Sequence, residues 1–164
     1  MKTNTQESTG SLLLRNFIFT LLQPGLVAGV IPYYILGGDL SALPRPGPVQ
    51  LYAGLALFLV GVSIMLRCIL QFALEGRGTL SPVDPTKRLV VRGLYRFSRN
   101  PMYVGVMLIL IGEAIMAQSV PLWIYLVVVF IAFNLFIVLH EEPRLRKDFG
   151  QEYLDYCQKV RRWI

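Results

Sequence analysis

The chain has 164 residues, 54% of them hydrophobic, and a formal charge of +6. Its apolar residues come in long blocks edged by basic ones. This excludes an ordinary soluble domain and makes the charge a topology and lipid-headgroup signal, with no nucleic-acid partner implied. Two cysteines and a single histidine give no disulfide framework and argue against a zinc or di-iron site, so no metal is expected.

Residues 1–10 are polar, and they are expected to be loose. They do not form a signal peptide, because the apolar run after them is too long. Residues 12–36 are the first spanning candidate. Gln23-Pro24-Gly25 and Pro32 interrupt it, which predicts a kinked helix. The turn-forming stretch 37–48 is a loop. A second span covers 49–74, with Gly54 and Gly61 as close-packing points. Arg67 and Gln71 lie one helical turn apart near its end, where Arg67 is expected to snorkel to the interface. Residues 75–87 form a connecting loop.

The stretch RGLYRFSRNPMYVG, residues 92–105, organises the rest. Asn100 is a good N-cap and Pro101 suits the first helical position, where its missing N–H costs nothing. A helix is therefore expected to start here and continue as a third span over 102–117. Its positive dipole end, set among Arg92, Arg96 and Arg99, is a ready site for a carboxylate or another anion. Residues 118–121 leave almost no room for a loop, so the fourth span, 122–139, must turn straight back as an antiparallel hairpin. Each helix of the pair is roughly 27–30 Å long. Equal helices return the chain to the face it left, which brings Glu141 and Glu142 beside Arg99 and Asn100. Residues 143–164 mix basic and aromatic residues as an interfacial amphipathic helix does.

The expected fold is thus all-α: an integral membrane protein of one domain over 1–164, with about four transmembrane helices, a helical hairpin and an interfacial C-terminal helix. Lysine and arginine counts put both termini, and the 75–100 loop, in the cytoplasm. Glu113, inside the third span, lies too far along the helix from Asn100 to share its site. Asn134 is expected to make an interhelical hydrogen bond.

RGLYRFSRNPMYVG, a hairpin, then EEPRLRKDFGQEYLDYCQKVRRWI resembles the isoprenylcysteine carboxyl methyltransferase family, one of the membrane phospholipid methyltransferases. The match runs through Gly93, Tyr95, Arg99, Asn100, Pro101, Tyr103 and Gly105. It resumes at Glu141, Glu142, Leu145, Phe149, Gly150, Tyr153 and Tyr156. The resemblance covers about half the chain. It implies S-adenosylmethionine as methyl donor and a cofactor-binding unit over 75–164, while the two N-terminal spans within 1–74 match only as generic membrane helices. On that likeness Arg99 and Glu142 are the catalytic candidates. Tyr95, Asn100, Pro101, Tyr103, Gly105, His140, Glu141 and Glu142 are the cofactor-binding ones. Arginine and a helix N-terminus suit the cofactor's carboxylate, and glutamate suits its ammonium. Eukaryotic members typically have His where this chain has Asn100, which cannot titrate, so no general base stands there. The resemblance implies a lipidic or membrane-partitioning acceptor met at the cytoplasmic face of the inner membrane. Carboxyl O-methylation comes ahead of phospholipid N-methylation and small-thiol S-methylation. A non-catalytic membrane protein that keeps the fold is the alternative from another class.

Overall fold

The computed structural model describes residues 24–39, 43–75 and 89–164, and among them every regular element is helical. The first is a π-turn, Leu26–Val30, running into the short helix α1, Ile31–Ile35. Ala28 leaves helical geometry at φ −108° and ψ 17°, which is the kink expected near Pro24. The Tyr125 hydroxyl donates to the Val27 carbonyl there at 2.9 Å, so a backbone group at the break has a partner. The earlier half of the first expected span, 12–23, and most of the 75–87 loop lie outside the described residues.

Helix α2 is Pro48–Glu75 and helix α3 is Pro101–Ala117. Gln118, in the left-handed region at φ 50°, and Ser119 are all that separate α3 from α4, Val120–Phe136. The π-turn Ile137–Glu141 then carries α4 directly into α5, Glu142–Lys159. The helix expected over 143–164 is therefore a continuation of α4. Gly150, at φ 53° and ψ −124°, breaks its axis. After Val160 the chain turns extended, and its last residues fold back. Helix α2 and the rod Val120–Lys159 are long and apolar enough to cross a membrane, and Pro101–Ala117 is a shorter apolar helix. The protein is an all-α membrane protein.

Helix α3 is the centre, and its two faces are built differently. Towards α2 it presents Gly105 and Gly112, which meet Gly61 and Gly54 in antiparallel order. A methyl group on Gly61 would sit 2.6 Å from the Gly105 carbonyl oxygen, and one on Gly112 would sit 2.6 Å from that of Gly54. The seven-residue spacing on both helices keeps the bare backbones facing each other for two turns. In lipid, where burying apolar surface gains little, such close approach supplies the dispersion contact that holds helices together. Towards α4 the contact is through side chains. Val106 and Leu110 pack on Val129, and Ala114 and Ala117 pack on Leu122. The Tyr103 and Phe133 rings lie 4.6 Å apart. These pairs run in opposite sequence order, so the expected antiparallel hairpin is present.

Candidate functional site

The site forms where the hairpin opens, at the Arg99 end of α3. A 3-10 turn, Gly93–Arg96, leads into it. This turn is fastened from two sides. The Gln71 side chain donates to the Arg92 carbonyl at 2.7 Å, and the Tyr156 hydroxyl donates to that of Tyr95 at 2.6 Å. Gly93 sits at φ +59°, and the Gln71 amide fills the space a Cβ would need. Only glycine meets both demands. Tyr95 is buried and its hydroxyl meets Cys68 of α2; burial pushes that hydroxyl well above the ordinary tyrosine range.

Beyond the turn, Arg99 and Glu142 pair at 3.2 Å, each with a well-buried side chain. Glu142 is shared. Arg162 grips it with Nε at 2.8 Å from Oε1 and Nη2 at 3.1 Å from Oε2, and Arg146 stands 4.0 Å from Oε2. A bidentate arginine on a buried carboxylate is among the stronger polar contacts a protein makes. The Glu142 carboxylate in turn raises the pKa of Arg162 above its ordinary value. Arg99 also donates to the Cys157 sulfur.

Arg162 arrives on a strap, the residues from Val160 on, laid across the start of α3. The Arg99 N–H donates to the Arg161 carbonyl at 2.9 Å, and the Asn100 side-chain amide donates to that of Arg162 at 2.9 Å. The Trp163 indole donates to Asn134 at 3.1 Å, and its ring lies 5.1 Å from that of Phe130. Asn134 thus bonds the strap, not a neighbouring helix. Asn100 holds the N-cap position, yet its side chain makes no capping hydrogen bond. The capping role the sequence suggested is corrected: the amide is turned out to the strap, and the Asn100 N–H is taken by the Ser98 hydroxyl at 3.1 Å. Pro101 does hold the first turn, buried, as expected.

Glu141 lies beside this network with different partners. The Tyr103 hydroxyl, one turn beyond Arg99, bonds its carboxylate. Two polar atoms of the cluster are buried without a hydrogen-bond partner among the described residues: Arg99 Nε, a donor, and Glu141 Oε2, an acceptor. Leaving such groups unpaired costs about 1–3 kcal/mol each, more when charged, so they mark where a ligand would be stabilised.

The fold therefore gathers Arg99, Asn100, Pro101, Tyr103, Glu141 and Glu142. Tyr95 stands between the two sides: its hydroxyl meets Cys68 of α2 and lies near enough to Glu141 to feel its charge. Gly105 faces Gly61 on the α2 side of α3. His140 is exposed and stacked on Phe136, its ring 5.6 Å away. Sequence reasoning missed Arg162, Ser98, Cys157 and Trp163. The basic-aromatic ending RRW was a signal that the tail does something, but nothing in it said which arginine turns inward.

The sequence profile of the phospholipid methyltransferase family matches residues 49–152. Over 63 residues, 38% of this chain, the protein is 35% identical to an uncharacterized protein of Haemophilus influenzae along that protein's whole length. Over 113 residues, 66% of this chain, it is 27% identical to probable protein-S-isoprenylcysteine O-methyltransferases of Oryza sativa, subspecies indica and japonica. The chain spans 58% of the length of those rice relatives. No solved structure matches significantly.

Proposed function

The chain belongs to the phospholipid methyltransferase family, and from that premise we propose that it transfers a methyl group from S-adenosylmethionine to a lipidic acceptor at the Arg99–Glu141 cluster. That it is a membrane methyltransferase of the isoprenylcysteine and phospholipid type follows from the matches. One observation carries the finer reading. A buried donor atom, Arg99 Nε, and a buried acceptor atom, Glu141 Oε2, both lack a hydrogen-bond partner among the described residues, at the end of the hairpin where Arg99 pairs with the neighbouring Glu142. An amino-acid zwitterion has the complementary pair, a carboxylate for Arg99 and an ammonium for Glu141, and S-adenosylmethionine ends in one. The residues present fit the cofactor on that ground.

When bound, the cofactor supplies an electrophilic methyl group on a sulfonium. The chain's own residues bind, orient and exclude water. Arg99 Nε receives the carboxylate. Glu141, steadied by the Tyr103 hydroxyl, receives the ammonium. The Tyr103 and Phe133 rings offer an aromatic wall, which suits a cation. Glu142 is a positioning residue in this reading, because both of its oxygens are engaged by arginines and its task is to hold Arg99 in place. Methyl transfer to an acceptor that is already an anion needs no general base, so alignment and desolvation supply the rate. Among acceptors we place a carboxylate ahead of an amine or a small thiol, and the basic loops put the reaction at the cytoplasmic face.

The test is to give methyl-labelled S-adenosylmethionine to sealed membrane vesicles of both orientations and identify labelled lipid extracts by mass spectrometry. Inside-out vesicles should label a product and right-side-out vesicles should not. Label in neither would sink the activity, and label in right-side-out vesicles alone would reverse the orientation.

A further inference from the structure

The end of α2 and the 3-10 turn border an open groove of about 590 Å³. Its lining includes Arg67, Leu70 and Gln71 from α2, and Gly93, Arg96 and Phe97 from the turn. None of the site residues gathered around Arg99 borders it. Its walls are pinned together by the Gln71 bond to the Arg92 carbonyl and by the close seat of Gly93 on the Gln71 amide. The groove is therefore a built feature of the fold.

The chemistry of the lining is lopsided. Arg67 and Arg96 are both exposed and neither forms an ion pair among the described residues. Among the described residues, no carboxylate lines the groove. Beside the two cations stand two large apolar side chains left open, Leu70 at 59% and Phe97 at 75% exposure. Arg67 and Leu70 fall in the last turns of the apolar segment Pro48–Gln71, where a spanning helix meets the headgroup layer. Two guanidiniums next to apolar walls at that depth match one ligand class.

We propose that this groove is a binding site for an anionic phospholipid, its phosphate between Arg67 and Arg96 and an acyl chain along Leu70 and Phe97. Arginine suits phosphate through its fork of donors, and each basic residue at an anionic membrane surface strengthens binding about fivefold. A zwitterionic lipid brings a cationic headgroup up against the two guanidiniums, a repulsion that an anionic lipid does not meet and that no carboxylate of the described lining offsets. The site is thus distinct in chemistry from a place where an amine-bearing acceptor would be held. It stands whether or not the proposed reaction does.

Native mass spectrometry of the full chain in detergent, with phosphatidylglycerol or phosphatidylcholine added at equal concentration, tests it. The wild type should retain phosphatidylglycerol roughly tenfold or more over phosphatidylcholine. Arg67→Gln and Arg96→Gln should each cut that retention about fivefold, and together they should erase the preference. Arg45→Gln, which removes the same charge from a loop elsewhere, should leave the preference unchanged. Both arginines are exposed, and circular dichroism of the variants should match the wild type. Equal retention of the two lipids overturns the proposal, as does a preference that survives the double variant or falls equally with Arg45→Gln. Displacement of the lipid by excess inorganic phosphate would show a free-anion site and overturn it too.

Discussion

Helix α3 is held on one side by backbone and on the other by side chains. Towards α2, glycines at 54, 61, 105 and 112 let main chains touch, and the carbonyls they meet cannot step aside as a side chain can. Towards α4 and the strap, packing is by rings and aliphatic chains, and the end of the interface is an ion-pair network around Glu142. A backbone contact is rigid because nothing in it has rotamers. A side-chain contact can rearrange, and long charged side chains can exchange partners. The difference teaches where a ligand can enter: the α2–α3 pair serves as the fixed frame, and the polar side is the part able to admit a molecule.

The largest expected effect is on the frame. Gly61→Leu places a Cβ against the Gly105 carbonyl and the Ile109 N–H, so two backbones must part. Overpacking commonly costs about 1–3 kcal/mol, and backbone on both sides puts this variant at or above the top of that range. Thermal unfolding in detergent should show its midpoint collapse, whereas Gly29→Leu, with open space around it, should stay near wild type. Equal behaviour of the two variants would break the comparison.

Next comes Glu142→Gln. It leaves Arg99 and Arg162 without the carboxylate that joins them. Removing one partner of a buried ion pair costs about 3–5 kcal/mol. Arg162 is partly exposed and can recover water, so the loss should lie at or below the lower end. The variant should unfold at lower denaturant and release the strap, read as faster hydrogen exchange at 160–163. A strap that stays protected would show that Asn100 and Trp163 hold it without the ion pair.

The smallest effect on stability, and the sharpest on binding, belongs to Glu141→Gln. Its Oε2 has no partner within the fold, so the melting midpoint measured without cofactor should hold or rise slightly. Affinity for S-adenosylmethionine, titrated at fixed ionic strength, should fall roughly thirtyfold or more, the loss of a partly desolvated ammonium's partner. Unchanged affinity would move the cofactor elsewhere.

The hairpin was legible because its information is one-dimensional: two apolar runs of similar length and the short stretch 118–121 between them place Glu141 and Glu142 next to Arg99 by arithmetic. Rotation of a helix about its own axis is not written that way. Gly105 and Tyr103 are two residues apart and sit on different faces of α3, one against Gly61 and one against Glu141. The motif alone ranked them together. Asn100 illustrates a second limit. Its cap preference is a local tendency, and a carbonyl sixty-two residues later outbid it. The continuity of α4 and α5 was hidden for a related reason. Pro143 looks like a break, but it directly follows the π-turn, where the Glu142 N–H already reaches back to the Ile137 carbonyl and the ordinary helical ladder is interrupted.

The strap also sets an order in time. Glu142 and Arg162 are separated by 20 residues, and synthesis at about 5–20 residues per second puts roughly 1–4 s between them. Throughout that interval Arg99 is the only one of the two short-range arginine partners of Glu142 that has been made. The polar cluster is therefore completed late, after the apolar helices that frame it have been produced.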